Sequence, residues 1–182
     1  MIRYILGTEL WMHPNLARTM FRDRAQQFSK RLKWNVDVDR NGFERDQYDD
    51  LNPIYVLIED MDGNHSGSMR LLPTTGRTMI NEHFATALND GPLHDPKTLE
   101  CTRFCLSPNS NARTALKLFS GAGRLMQELG ATSFVAVFDS SMQRKYRLSG
   151  VPPEILGETV LDSSKIIAGR WGNPPIFNGV QP

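Results

Sequence analysis

Taken at helical spacing, Leu16, Met20, Arg24, Phe28 and Leu32 form one ridge, each four residues from the next. All but one are apolar, and the exception is a guanidinium. A ridge of that kind packs against a core, so Arg24 must carry its donors inside together with groups that accept them. Acceptors follow in the next loop, as Glu44, Asp46 and Asp49. The helix and the acidic loop behind it are therefore expected to fold onto each other and assemble a site.

The 182 residues suffice for one domain with a sizeable core. A net charge of +1 gives no global reason to expect nucleic acid or an anionic membrane as a partner. No apolar run approaches the roughly 20 residues of a membrane span, and the start of the chain lacks the layout of a signal peptide. Cys101 and Cys105 fall in one strand-like segment. Extended, their Cα atoms would lie about 13 Å apart, too far for a disulfide, so a reducing cytoplasm is expected. The histidines are scattered, and no metal site is expected.

Periodicity and turn chemistry divide the chain into alternating strands and helices. A short strand covers residues 2–7, and the amphipathic helix covers 14–33 with Pro14 in its first turn. Residues 34–53 are polar and acidic with no clean period, and a loop of that length is usually functional or mobile. A hairpin over 54–59 and 66–72 is closed by Asp60-Met61-Asp62-Gly63-Asn64. A short helix at 80–88, a strand at 98–106 and a helix at 112–129 stopped by Gly130 come next. A buried strand at 133–138 and a helix at 141–148 follow, with one or two further strands between 158 and 171. The class is α/β with a central sheet.

Strand alternation puts Glu100, Thr102 and Phe104 on one face, and Cys101, Arg103 and Cys105 on the other. A buried strand bearing both a carboxylate and a guanidinium needs a partner for each. A regular strand cannot turn Glu100 and Arg103 to the same side, whereas a bulge can, and bulges concentrate beside active sites. The plainer alternative is a structural ion pair stapling sheet to helix. Arg70 shares a strand face with Ser68 and Leu72, and taken alone reads as a solvated residue. Trp34 sits where the helix gives way to the loop, where its ring can cover a cationic ligand, although Phe28 and Trp34 also suit a core. Arg113, Lys117, Arg124, Arg144, Lys145 and Arg147 read as solvated helix faces, or else as a dock for an acidic partner or a phosphate-bearing donor. Neither Ser140-Ser141 nor the histidines sit in a triad context.

These residues together resemble the acyl-homoserine-lactone synthases, the LuxI-type autoinducer synthases of bacterial quorum sensing. The resemblance lies in Arg24-x3-Phe28-x5-Trp34, then Glu44-x-Asp46-Gln47-Tyr48-Asp49, then Gly67-Ser68-Met69-Arg70-Leu71-Leu72-Pro73, then Glu100-Cys101-Thr102-Arg103-Phe104. Thr102 stands where many members have Ser, which keeps the hydroxyl and adds a methyl. The resemblance implies a GNAT-like three-layer sandwich, a mixed central sheet flanked by helices, in one domain over residues 1–182 with a mobile N-terminal lobe at about 10–50. It implies no cofactor. S-adenosylmethionine and an acyl thioester, on acyl carrier protein or coenzyme A, are substrates. The amine of the first attacks the second, and lactonisation then expels methylthioadenosine.

By the same resemblance the catalytic set is Glu100, Arg103, Arg24, Asp46, Asp49 and Arg70, with Glu100 taking the amine's proton directly or through water. S-adenosylmethionine would meet Arg24, Phe28, Trp34, Asp46 and Arg103. Asp46 and Asp49 have an alternative, structural role in pairing with Arg24, Arg70 and Arg103. Met79, Phe104, Leu116, Met126, Ala136, Val137 and Met142 would line the acyl pocket. Ala136 stands where members that take 3-oxo chains tend to carry Thr, which implies a donor unsubstituted at C3. Two rivals remain. One is an acetyl-CoA-dependent GNAT acetyltransferase, for which Gly121-Ala122-Gly123 is the nearest pyrophosphate-loop match, though it falls inside a predicted helix. The other is a non-catalytic ligand-binding domain.

Overall fold

The computed structural model describes residues 1–148, 150–161 and 163–172. Its strands are β1 (Ile2–Leu6), β2 (Ile54–Glu59), β3 (His65–Pro73), β4 (Thr98–Leu106), β5 (Ser133–Asp139), β6 (Glu154–Leu161) and β7 (Ser164–Gly172). They form one mixed sheet in the order β1-β2-β3-β4-β5-β7-β6. The helices are α1 (Pro14–Arg24), α2 (Met79–His83), α3 (Ala112–Glu128) and α4 (Ser140–Leu148). None is long and apolar enough to cross a membrane. Contacts group the chain into two compact units, one of Met1–Leu71 with Arg103–Ala122, the other of Leu72–Thr102 with residues 123–172.

In the first unit β1, β2 and β3 run antiparallel, with Ile5 opposite Tyr55 and Tyr55 opposite Arg70. Ile5, Tyr55 and Leu57 therefore share a face, and α1 covers it with Leu16, Met20 and Phe21. The opposite face receives the first turns of α3. A Cβ at Gly67 would lie 2.9 Å from Leu118 Cδ1, so the helix approaches the strand backbone closely. Tyr4 secures it by donating its hydroxyl to the Gly121 carbonyl at 2.9 Å.

The expected helix over 14–33 is present but changes character. After Arg24 it widens into a π-helical stretch, Ala25–Arg31, with Leu32 N–H bonded to the Gln27 carbonyl five residues back. Ala25 and Phe28 stay buried through the wider turns. Residues 34–53 carry neither helix nor strand beyond one bridge between Val38 and Glu44.

In the second unit β4 and β5 run parallel, joined through α3 as a parallel pair requires. Their ladder covers Thr98, Leu99 and Glu100 against Ser133, Phe134 and Val135. Beyond Val135, β5 continues its pairing with β7 as far as Asp139. Ile80, Ala87 and Leu88 pack over Val135 and Ala168 on one face. On the other, Phe138 meets Tyr146 edge-on at 5.2 Å and Trp171 at 5.7 Å. The tail expected to add one or two strands forms both β6 and β7.

Gly157 marks a bulge in β6, with φ at +151°. A Cβ there would stand 2.5 Å from the Ala87 carbonyl oxygen, a backbone atom that cannot swing away. Gly157→Ala is expected to destabilise the protein by about 2 kcal/mol or more, seen as a lower midpoint in urea; a midpoint equal to wild type would contradict this account.

Candidate active site

Arg24 emerges from the last turn of α1 into a space that the following loop closes. Glu44 N–H bonds the Phe21 carbonyl at 3.1 Å, pinning the loop to the helix. Asp46 accepts from Tyr48 N–H, and Asp49 accepts from Asp46 N–H, each at 2.9 Å, so both carboxylates are set by local turns. Arg24 then donates through Nε to Glu44 at 2.6 Å and through both Nη atoms to Asp49 at 2.9 Å. Arg70 donates to both oxygens of Asp46 and to Asp49 Oδ1, the last at 2.9 Å. Arg103 reaches Glu44 Oε1 and Asp46 Oδ2, at 2.9 and 2.7 Å from Nη2. Three guanidinium groups and three carboxylates thus close a ring of net charge zero.

The ring is inside the protein. Arg24, Glu44 and Arg70 are at most 1% exposed, while the side chains of Arg103 and Asp46 form the more open edge at 9% and 13%. Arg70 is therefore no solvated strand residue; its face of β3 lies under α1 and the loop. Burial pushes the Asp49 carboxyl up, but the charge and hydrogen bonds of Arg24, with Arg70 and the Tyr55 hydroxyl, outweigh it and hold the group well below the usual carboxylate range. Asp46 behaves alike: burial opposes ionisation, and Arg70 followed by Arg103 overcomes it. Burial would lower the Arg24 and Arg70 guanidinium groups, yet their carboxylate partners raise both.

Sequence reasoning missed Tyr55. Its hydroxyl donates to Asp49 Oδ1 at 2.6 Å, and burial beside that carboxylate raises its own pKa. The signal was available, because Tyr55 and Leu57 alternate toward the same face as Arg70 once the hairpin register is known. Tyr48, fully buried, also lies under Arg70, whose guanidinium carbon is 5.5 Å from the ring centre.

Arg103 has φ at +53°, a left-handed conformation that a strand residue with a side chain rarely adopts. The backbone thus departs from regular strand geometry at this residue, and its guanidinium makes the ion pairs with Glu44 and Asp46 that the plainer reading of the sequence expected. The same group lies 5.4 Å from the centre of the Phe28 ring. Phe28 stacks on Trp34 at 5.3 Å and 11° between planes, and Trp34 is 46% exposed. An aromatic pair with one open face therefore borders the ring's open edge.

In the second unit, Glu100 is buried, and its carboxylate accepts from Met79 N–H at 3.1 Å and Ile80 N–H at 2.5 Å. Backbone donors leave no mark in a sequence, so this anchoring was not foreseeable. Among the expected acyl-pocket residues, Phe104 stacks on Phe119 at 5.2 Å, and Leu116 on α3 is half-buried. Met79, Ala136, Val137 and Met142 are half-buried and Met126 is buried. Ala136 and Val137 are neighbours in β5 and face opposite sides, Val137 packing with the Ile80 cluster. A hollow of about 240 Å³ lined by Val151, Pro152, Glu154, Arg170 and Trp171 contains none of these residues. Arg113, Lys117, Arg124, Arg144, Lys145 and Arg147 are exposed. Gly121-Ala122-Gly123 lies buried within α3, away from any loop able to cradle phosphate. Both cysteines are free thiols, and burial pushes Cys105 up to about 12.

A family model described as autoinducer synthase matches residues 8–171. The chain belongs to the autoinducer synthase family. An acyl-homoserine-lactone synthase of Rhizobium etli is 39% identical over 160 residues, 84% of this chain and 74% of the relative. This chain is accordingly an acyl-homoserine-lactone synthase. The synthase also matches the crystal structure of TofI in a ternary complex with an inhibitor and MTA, at 28% identity and TM-score 0.73, covering 86% of this chain and 83% of the other. An acyl-CoA N-acyltransferase from Pseudomonas aeruginosa matches at 13% identity and TM-score 0.62, over 94% and 99%. That likeness concerns the fold, and it agrees with the GNAT-like sandwich expected of the synthase.

Asp49→Asn is expected to destabilise the synthase by about 3–5 kcal/mol at neutral pH, because it takes one carboxylate partner from each of two buried guanidinium groups and leaves the ring one positive charge in excess. A carboxyl with a lowered folded pKa stabilises fully above its unfolded value near 4, and that contribution fades as pH falls toward the folded value. Urea titrations between about pH 5 and pH 3 should therefore give wild-type stability that falls with acid and a shallower slope for Asp49→Asn. Equal slopes would remove Asp49 from the acid dependence.

Proposed function

We propose that this synthase acylates the amine of S-adenosylmethionine from an acyl thioester carried on acyl carrier protein or coenzyme A. The methionyl carboxylate then closes on its own γ-carbon and releases methylthioadenosine. The observation that carries the residue assignment is the difference in exposure around the charged ring. Arg24, Glu44, Asp49 and Arg70 bond one another out of contact with solvent and serve as the frame that fixes the rest. Asp46 and Arg103 occupy the open edge and are assigned to the substrate's amine and carboxylate. Phe28 and Trp34 are assigned to its adenine and sulfonium, since a cation gains from a π face. The MTA of the TofI complex accords with the expected by-product.

Glu100 is the assigned base. An amine must be unprotonated to attack a thioester carbonyl, and a carboxylate fixed by two backbone amides is held in position to take the proton. Met79, Phe104, Leu116, Met126, Ala136, Val137 and Met142 are assigned to the acyl chain. Ala136 brings no hydroxyl to a 3-oxo group, which favours a plain donor. A cytoplasmic location is supported by the two free thiols and by the intracellular nature of these substrates.

The test is to incubate purified protein with S-adenosylmethionine and a panel of acyl thioesters, and to follow lactone and methylthioadenosine by mass spectrometry. Both products are expected, and plain donors should turn over at least as well as their 3-oxo counterparts. Glu100→Gln should lose about 10²-fold or more in turnover while its melting curve stays cooperative. Trp34→Ala should raise KM for S-adenosylmethionine about fivefold, the value of one exposed cation–π contact. An unchanged KM would detach Trp34 from the substrate.

A further inference from the structure

Ala136 in β5 stands opposite Gly169 in β7, between the pairs Phe134–Trp171 and Phe138–Ile167. Paired residues share a face, so between those larger side chains the sheet presents only a methyl and a hydrogen. The ring of Tyr146, from α4, covers that gap. It meets Phe138 at 5.2 Å and 78° between planes, and Trp171 at 5.1 Å and 74°. A ring in edge-on contact with both flanking side chains lies over the pair between them, and such contacts resist its displacement. Val151 locks the arrangement, since its N–H donates to the Tyr146 carbonyl at 3.0 Å and its own carbonyl accepts the Trp171 indole N–H at 2.9 Å. The Tyr146 hydroxyl has no hydrogen-bond partner among the described residues, so the ring itself is what the structure uses.

We infer that the Tyr146 ring closes the acyl site over Ala136 and sets the longest acyl chain the synthase takes. The inference rests on the assignment of Ala136 and Met142 to the acyl chain and adds the residue that ends the path between them. Met142 and Tyr146 are four residues apart on α4, so they share a helix face, about 6 Å apart along the axis. Helix α4 follows β5 directly and doubles back along it. Met142 therefore lies toward the end of β5, and Tyr146 toward its start. The ladder between β4 and β5 covers β5 only as far as Val135. A chain that enters beyond that point, under Met142, runs over Ala136 until its terminal methyl meets the Tyr146 ring. The other face of β5 is already taken up, Val137 packing there with Ile80, Ala87 and Leu88. Tyr146 makes and breaks no bond. It acts by excluding volume, and a hydrophobic site discriminates about tenfold or more for each methylene it cannot seat.

The experiment measures kcat/KM for plain acyl thioesters from butanoyl to tetradecanoyl, read as methylthioadenosine release, in wild type, Tyr146→Phe, Tyr146→Leu and Met142→Trp. Wild type should have one best chain and lose about tenfold or more on the donor two methylenes longer. Tyr146→Leu should gain about tenfold or more on that longer donor, with KM for S-adenosylmethionine within about twofold of wild type. A merely structural role would lower all donors alike. Tyr146→Phe, which keeps the ring, should keep the wild-type profile. Should Tyr146→Leu fail to fold, Tyr146→Met is read in its place, its flexible side chain filling the same gap. A wild-type enzyme whose kcat/KM falls nowhere along the series would overturn the proposal whatever the variants do. So would a folded Tyr146→Leu with the wild-type profile, or a Tyr146→Phe that shifts the profile as Tyr146→Leu does. Met142→Trp separates the two layers and should shorten the preferred chain. If it leaves the profile unchanged, the acyl assignment itself fails; if it shortens the chain while Tyr146→Leu changes nothing, only the role of Tyr146 falls.

Discussion

Three guanidinium groups buried among three carboxylates are the constraint to which the first unit answers. Each ion alone would cost several kcal/mol to remove from water. Together they satisfy one another, because Arg24 bridges Glu44 and Asp49, Arg70 bridges Asp49 and Asp46, and Arg103 bridges Asp46 and Glu44. No member can be placed until the others are. The helix, the irregular loop and strands β3 and β4 are thus committed to a common arrangement by charge as much as by apolar burial. The loop over residues 34–53 can dispense with regular structure for that reason: its backbone is held by Asx turns, one bridge and the ring itself.

The same demand explains the distortion of β4. A regular strand would carry Arg103 to the face opposite Thr102, yet Thr102 and Glu100 are both buried, and the guanidinium is needed at Glu44 and Asp46. A left-handed residue at position 103 resolves the conflict at a strain of about 1–3 kcal/mol. Two charge-assisted contacts and the face of Phe28 offset that strain. Glycine would adopt the backbone angle more readily, but it has no guanidinium to deliver.

Much of this was legible before any coordinate. The four-residue ridge located Arg24 in the core, alternation and the turn at residues 60–64 located the hairpin though not its register, and Glu100 with Arg103 on one strand left a bulge and a structural ion pair both open. What escaped was of two kinds. Tyr55 is a long-range partner, paired with Arg70 only through strand register, and a tyrosine in a strand is ordinary. The amides that hold Glu100 belong to the backbone and have no residue type to betray them. The π-helical widening after Arg24 was likewise hidden, since a four-residue ridge looks alike in either helix over so short a span.

The way charge is apportioned within the ring bears on how a zwitterionic substrate is handled. The most deeply buried members, Arg24 and Arg70 against Glu44 and Asp49, already balance. What remains at the open edge is one carboxylate, Asp46, and one guanidinium, Arg103. An amino-acid head group carries the same two charges in the opposite sense, so it can exchange places with part of the Asp46–Arg103 contact without leaving a net charge behind. A ring with an excess of acids would hold a sulfonium more tightly, but it would favour bound substrate and transition state alike and gain nothing in turnover. A neutral frame instead makes orientation, rather than net attraction, the source of discrimination. On the assignment proposed above, the polar ends fall to Asp46 and Arg103 and the cationic middle to the weaker π faces of Phe28 and Trp34, with which a neutral thioether product would lose the cation–π attraction.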